Sequence, residues 1–98
     1  MTITKKKDGT KLTIVPEGRI DSTNSQEFEN EAKSELDGVS ELVLDFEKIN
    51  YISSAGLRVL LSLQKIMNKQ GSMTLKNVND TVNDIFEVTG FSEVLNIQ

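Results

Sequence analysis

Two adjacent hydroxyls, Ser53 and Ser54, are the side chains that their neighbours best prepare for chemistry. Ahead of them, Glu41-Leu42-Val43-Leu44-Asp45-Phe46 reads as a buried strand, a short apolar run bounded by polar residues. Behind them, Leu57, Leu60, Leu61, Leu63, Ile66 and Met67 recur at helical spacing as far as Gly71, a natural C′ stop. The turn between is Tyr51-Ile52-Ser53-Ser54-Ala55-Gly56-Leu57, and one of its hydroxyls is expected at the helix N-cap. A strand that delivers serines to a helix N-terminus builds a place for an anion. Unpaired backbone N–H groups and the helix dipole both favour negative charge there.

Other chemistries are poorly provided for. The chain has no cysteine and no histidine, which removes disulfides, thiol nucleophiles, most zinc sites and any Ser-His-Asp triad. Ser62-Leu63-Gln64-Lys65 matches an S-x-x-K pattern but lies within a continuous amphipathic helix and has no companion motif. Asn79-Asp80-Thr81 is a glycosylation sequon with no signal peptide to bring it to the modifying enzyme. Asp45, Glu47, Asp80 and Asp84 fit no EF-hand spacing, and Gly-rich phosphate loops are absent, so neither metal nor cofactor is expected. The net charge of −4, from 11 basic and 15 acidic residues, argues against nucleic acid as a partner, since phosphate neutralisation needs a basic face. With no apolar leader and no run of membrane-spanning length, the expectation is a cytoplasmic protein without direct membrane insertion.

The elements that must position the serines follow in order. Ninety-eight residues suit one domain with a single two-layer core. Thr2–Lys7 and Lys11–Val15 are expected to form a hairpin about Asp8-Gly9, with Lys5-Lys6-Lys7 as a solvated, aggregation-resistant edge. Pro16 suits an edge or a bulge, and Gly18-Arg19-Ile20-Asp21 follows as a short extended piece. Asp21, Ser22 or Thr23 is expected to cap a helix that runs to about Leu36, with Phe28, Ala32 and Leu36 on its apolar stripe and Glu27 in its first turn. Asp37-Gly38 ends it. Ser72–Lys76 alternates as another strand, so the strand–helix–strand around the serines should be a right-handed parallel unit. Val78–Val88 reads as a further helix stopped by Gly90, and Phe91–Ile97 is an apolar piece of either kind. The predicted fold class is α/β: a mixed sheet of four to five strands with three or four helices, packed mainly on one face.

The stretch Asp45-Phe46-Glu47-Lys48-Ile49-Asn50-Tyr51-Ile52-Ser53-Ser54-Ala55-Gly56-Leu57-Arg58-Val59-Leu60-Leu61 resembles the central signature of the anti-sigma factor antagonist family, the STAS domain. Pro16-Glu17-Gly18-Arg19-Ile20-Asp21 resembles that family's second signature, and with the closing Thr89-Gly90-Phe91 the likeness covers nearly the whole of residues 1–98. The resemblance implies a switch: the unphosphorylated domain binds an anti-sigma factor that is a serine kinase and frees the sigma factor. The kinase then phosphorylates a serine at the strand-to-helix turn and releases the antagonist, and a serine phosphatase resets it. Carried over residue by residue from the family's Asp-Ser-(Ser/Thr)-Gly-Leu, the acceptor is Ser54, with Ser53 as its rival. Ser53 stands where many members have Asp, and Ala55 where they have a second hydroxyl. The expected partner surface comprises Asp21, Ser53, Ser54, Ala55, Gly56 and Arg58. A second reading keeps the fold but makes the chain a subunit of a membrane-associated transport or sensory complex, with the serine as a cap. An enzyme would have to rely on carboxylates, lysines or Tyr51, and nothing in the sequence clusters them.

Overall fold

The computed structural model describes residues 1–98. The hairpin forms as expected, with β1 (Ile3–Asp8) and β2 (Lys11–Pro16) in unbroken antiparallel register from Ile3↔Pro16 to Asp8↔Lys11. Gly9 at φ 62° supplies the left-handed backbone of its tight turn. Strand β2 pairs parallel with β4 (Glu41–Asp45), and β4 pairs parallel with β6 (Ser72–Lys76), giving the order β1-β2-β4-β6. Pro16 costs this sheet nothing, because the β2–β4 ladder has already ended at Ile14↔Leu44.

Residues two apart along a strand share a face, and the register stacks them across strands. Leu12, Leu42 and Met73 form one row and Ile14, Leu44 and Leu75 another, all buried. The helices close over these rows. Helix α1 (Ser25–Lys33) contributes Phe28 and Ala32, and α2 (Ser54–Gln70) contributes Leu57, Leu60, Leu63 and Met67. Helix α3 (Asp80–Val88) adds Val82 and Phe86 to the same core. The alternate row, Lys6, Thr13, Val43 and Thr74, lies on the other side of the sheet, and Val43 is buried without joining the core cluster.

Three details differ from the sequence-based expectation, and a fourth, left open there, is settled. Helix α1 begins at Ser25 and ends at Lys33, so its cap position is Asn24 and not Asp21, Ser22 or Thr23, while Leu36 is buried from the loop beyond it. Lys5 shares a row with Ile14 and therefore faces the helix side, where its Nζ reaches Glu31 at 2.7 Å and Glu35 at 3.1 Å. It is not part of a purely solvated edge, and its bond to Glu31 holds the ammonium pKa above the ordinary lysine value. Between β4 and α2 the chain forms a further strand, β5 (Ile49–Ile52), which leaves the main sheet to pair parallel with β3 (Gly18–Ile20). The piece after Gly90 is a short 3-10 turn at Phe91–Glu93, and Ile97 then bridges Leu75 in parallel at the sheet edge.

Helix α2 is held at its far end by main-chain proximity. Gly71 has φ 170°, extended backbone open to any residue, but a Cβ there would sit 1.8 Å from the Ser40 carbonyl oxygen. Ser72 N–H donates to that same oxygen at 2.9 Å, and the Gln70 side-chain amide donates to Leu36 O at 2.7 Å and Val39 O at 2.6 Å. The corner joining α2 to β6 therefore has no room to give. Gly71→Ala should cost about 2–3 kcal/mol, measured as a lower urea midpoint with an unchanged slope.

Candidate functional site

The serine turn is built by two short strands that would be unstable alone. In the β3–β5 ribbon Arg19 pairs with Tyr51 and Ile20 with Ile52, and Ile20, Ile49 and Ile52 point into the core. Their burial removes apolar surface from water and fixes the ribbon against α2 and α3. Asn79 anchors it from α3: its Oδ1 accepts from Val82 N–H at 2.8 Å, capping that helix, while its Nδ2 donates to Ile49 O at 2.9 Å. The asparagine of the sequon thus has both ends of its amide engaged.

Past Ile52 the ladder continues by one bond, from Ser53 N–H to Ile20 O at 2.9 Å. This bond sets the serine turn beside the turn that follows β3. That second turn is fixed by reciprocal bonds, Asp21 N–H to Asn24 Oδ1 at 2.9 Å and Asn24 Nδ2 to Arg19 O at 2.7 Å. Asp21 does not cap α1 through its side chain. Its Oδ1 accepts from the Thr23 N–H at 2.9 Å and from the Thr23 hydroxyl, and its Oδ2 accepts from Arg19 Nε at 3.0 Å. These bonds, the Thr23 hydroxyl first, hold the Asp21 carboxyl below the ordinary aspartate pKa.

The two serines have different surroundings. Ser53 is the N-cap of α2, with extended φ −96° and ψ 176°, yet its hydroxyl makes no capping bond. Its Oγ is buried and has no hydrogen-bond partner. Ser54, the first residue of α2, is exposed. The first helical bond runs from Leu57 N–H to Ser53 O at 2.9 Å, and no protein acceptor engages the N–H groups of Ser54, Ala55 or Gly56. No acidic residue stands in that first turn. Gly56 is what lets the helix end lie so close to the ribbon: a Cβ there would be 2.6 Å from Ile52 Cγ1 and 2.8 Å from Ile20 Cγ2. Arg58, one turn on from Ser54, is exposed and in no ion pair.

Asp21, Ser53, Ser54, Ala55 and Gly56 are therefore gathered at one end of the molecule, with Arg58 on the next turn of the helix. Arg19 and Tyr51 were not among the site residues expected from sequence, although the guanidinium carbon lies 4.8 Å from the Tyr51 ring centroid beside the same turn. The pairing of β3 with β5 brings them together, and no local pattern announces it. Chemically, the turn offers an exposed hydroxyl over free N–H donors. The nearest signature carboxylate, Asp21, is engaged by Thr23 and Arg19 and by neither serine.

The lowered pKa of Asp21 has a consequence for stability. A carboxylate whose folded pKa is depressed stabilises above its unfolded value, near 3.8, and loses that contribution as pH falls through the folded value. Asp21→Asn should melt lower than wild type at about pH 7, with the gap narrowing as pH falls below 3.8, as read from thermal unfolding across that range.

Comparison with known proteins agrees with this architecture. The STAS domain profile matches residues 2–98. The Bordetella bronchiseptica protein BtrV, named for anti-sigma factor antagonism, is 34% identical over 96 residues, covering 96% of this chain and 83% of BtrV. A Thermotoga maritima protein of similar name superposes with a TM-score of 0.89 at 18% identity, over 97% of this chain and 84% of its own. The Bacillus anti-sigma factor antagonist SpoIIAA matches in its unphosphorylated form with a TM-score of 0.76 at 14% identity, over 99% of this chain and 87% of SpoIIAA. Its phosphorylated form matches at 0.75 and 15% identity, over 99% and 91%. The chain belongs to the STAS domain family of anti-sigma factor antagonists.

Proposed function

We propose that the chain acts by partner switching and performs no reaction of its own. The unphosphorylated form binds an anti-sigma factor serine kinase and so frees a sigma factor. Phosphorylation of Ser54 by that kinase ends the complex, and a serine phosphatase restores the binding form. The observation that carries this reading is the contrast at the turn, where the Ser54 side chain is exposed and the Ser53 hydroxyl is buried. A kinase needs an acceptor oxygen that it can reach, which favours Ser54 over its rival.

The physics of release follows from charge. A phosphoserine carries about −1.5 to −2 charges at neutral pH. At position 54 the three unengaged N–H groups and the dipole of α2 receive that charge, so the fold has no reason to change. SpoIIAA, whose fold this chain shares, has both an unphosphorylated and a phosphorylated form, as the proposed switch requires of this chain. A partner packed on the turn would face an ionised, strongly hydrated group, and leaving it unpaired lowers affinity by a factor of about a hundred or more.

A reading as a subunit of a membrane-associated complex draws on Ser53, which replaces the carboxylate that many members of the family place before the acceptor. No helix of the chain is long and apolar enough to cross a membrane, so such a role would be peripheral. The deciding experiment is affinity capture from the source cells with wild type and Ser54→Asp as baits, quantified by mass spectrometry. A small ATP-binding serine kinase should be recovered by wild type and lost from Ser54→Asp, with both baits melting alike. Ser54→Ala should bind the kinase and resist release by ATP. Equal recovery of one set of transporter or sensory subunits by both baits would overturn the switch.

A further inference from the structure

The outward face of the β3–β5 ribbon carries a device that the serine turn does not need for its own geometry. Tyr51 is the only tyrosine of the chain and one of its three exposed large hydrophobic residues, at 37% accessibility. Arg19 lies over its ring at 4.8 Å and donates Nε to Asp21 Oδ2 at 3.0 Å. Asp21 is in turn held by Thr23, so the guanidinium is restrained on two sides while its side chain remains 61% accessible.

Only Nε of that guanidinium is engaged within the chain, and both terminal nitrogens keep their donors free. A planar fork with free, pre-aimed donors matches the two oxygens of a carboxylate, and restraint before binding lowers the entropy lost on binding. Arginine and tyrosine are also the residue types most often found as energetic anchors of protein interfaces. Asp21 pairs with the guanidinium through Nε alone, so the Nη edge is where positive potential stays open to an acidic group of the partner, on a chain otherwise of net charge −4. The position is continuous with the switch, because the bond from Ser53 N–H to Ile20 O joins the same two strands.

We infer that Arg19 and Tyr51 form a second docking anchor beside the serine turn, and that it takes an aspartate or glutamate side chain of the kinase partner. The anchor rests on the partner-switching reading. It gives the complex a contact that survives independently of the state of Ser54 and orients the kinase over it. Two anchors side by side fix the rotation of the partner, which one exposed serine cannot do.

The test is calorimetric titration of the purified kinase, as recovered by the capture experiment, with wild type, Arg19→Ala, Arg19→Lys, Tyr51→Leu and Ser54→Asp. Arg19→Ala should weaken binding at least about tenfold and flatten its dependence on salt. Arg19→Lys should recover little of the loss, since an ammonium keeps the charge but neither the fork nor the stacking. Tyr51→Leu should weaken binding several-fold, and all variants should melt within a few degrees of wild type. Wild-type affinity in Arg19→Ala and Tyr51→Leu, with Ser54→Asp still excluded, would overturn the anchor and leave the switch standing. Wild-type affinity in Ser54→Asp would overturn the switch, and a loss confined to the Arg19 and Tyr51 variants would then sustain the anchor alone.

Discussion

The hydrogen bond from Ser53 N–H to Ile20 O is the constraint on which the candidate site depends. It is a single bond, and alone it would be worth about 1 kcal/mol. Its importance lies in what it joins. On one side is the turn at Asp21–Asn24, closed by its own side-chain bonds, and on the other is the start of α2. Burial of Ile20 and Ile52 beneath it, with Gly56 against both, keeps the bond away from competing water. Two signatures far apart in the chain become one surface through this contact.

The rigidity of that surface bears on how such a protein can be switched. Helix α2 is fixed at its start by Gly56 against the ribbon and at its end by Gly71 against Ser40. Between these points Leu57, Leu60, Leu63 and Met67 are buried in the shared core. Swinging the helix would open cavities at several well-packed positions, each costing some kcal/mol. A change of charge at Ser54 needs none of that motion. On the proposed switch, the partner would read altered electrostatics on an unchanged shape.

Much of this was legible in the sequence, and the failures share a physical cause. Hairpin, parallel strands, α2 and the serine turn were all marked by periodicity, a Gly stop or a turn dipeptide, which are local signals. Tyr51 and Ile52 of strand β5 read as the start of the turn, and Ile49-Asn50 as no element, because burial along the strand runs in, out, out, in, breaking the period of two. The ribbon shifts register between Gly18 and Arg19, so the alternation is lost on the partner strand too. The cap of α1 was misplaced for a related reason. Asp21, Ser22, Thr23 and Asn24 are all of capping type, yet the residue at the cap position, Asn24, makes no side-chain capping bond: Asp21 N–H and Arg19 O engage its amide, and Thr23 and Arg19 engage the Asp21 carboxylate. Lys5 reads as a surface lysine until its row shows Ile14 beside it and Glu31 above. Nothing local encodes which of several polar neighbours a tertiary contact will select.

The departure at Ser53 then acquires a physical meaning. A carboxylate at an N-cap ordinarily accepts from the first N–H groups of its helix and places its own negative charge there. Such a group would compete with a phosphate on the next residue, both for donors and by like-charge repulsion. Ser53 does neither: its hydroxyl is uncharged and makes no capping bond, so the N–H groups of Ser54, Ala55 and Gly56 remain unclaimed. The exposed Arg58 adds a cation one turn away, with the anion N-terminal to it, the better order for a helical pair. In this chain the turn is therefore more hospitable to an added phosphate than one bearing a carboxylate at position 53. On the proposed switch, the compensating loss would be in recognition of the unmodified form, whose turn lacks the negative group that many members of the family carry at that position. Asp21 beside it keeps its charge through Thr23 and Arg19, but that charge is already paired with the Arg19 guanidinium.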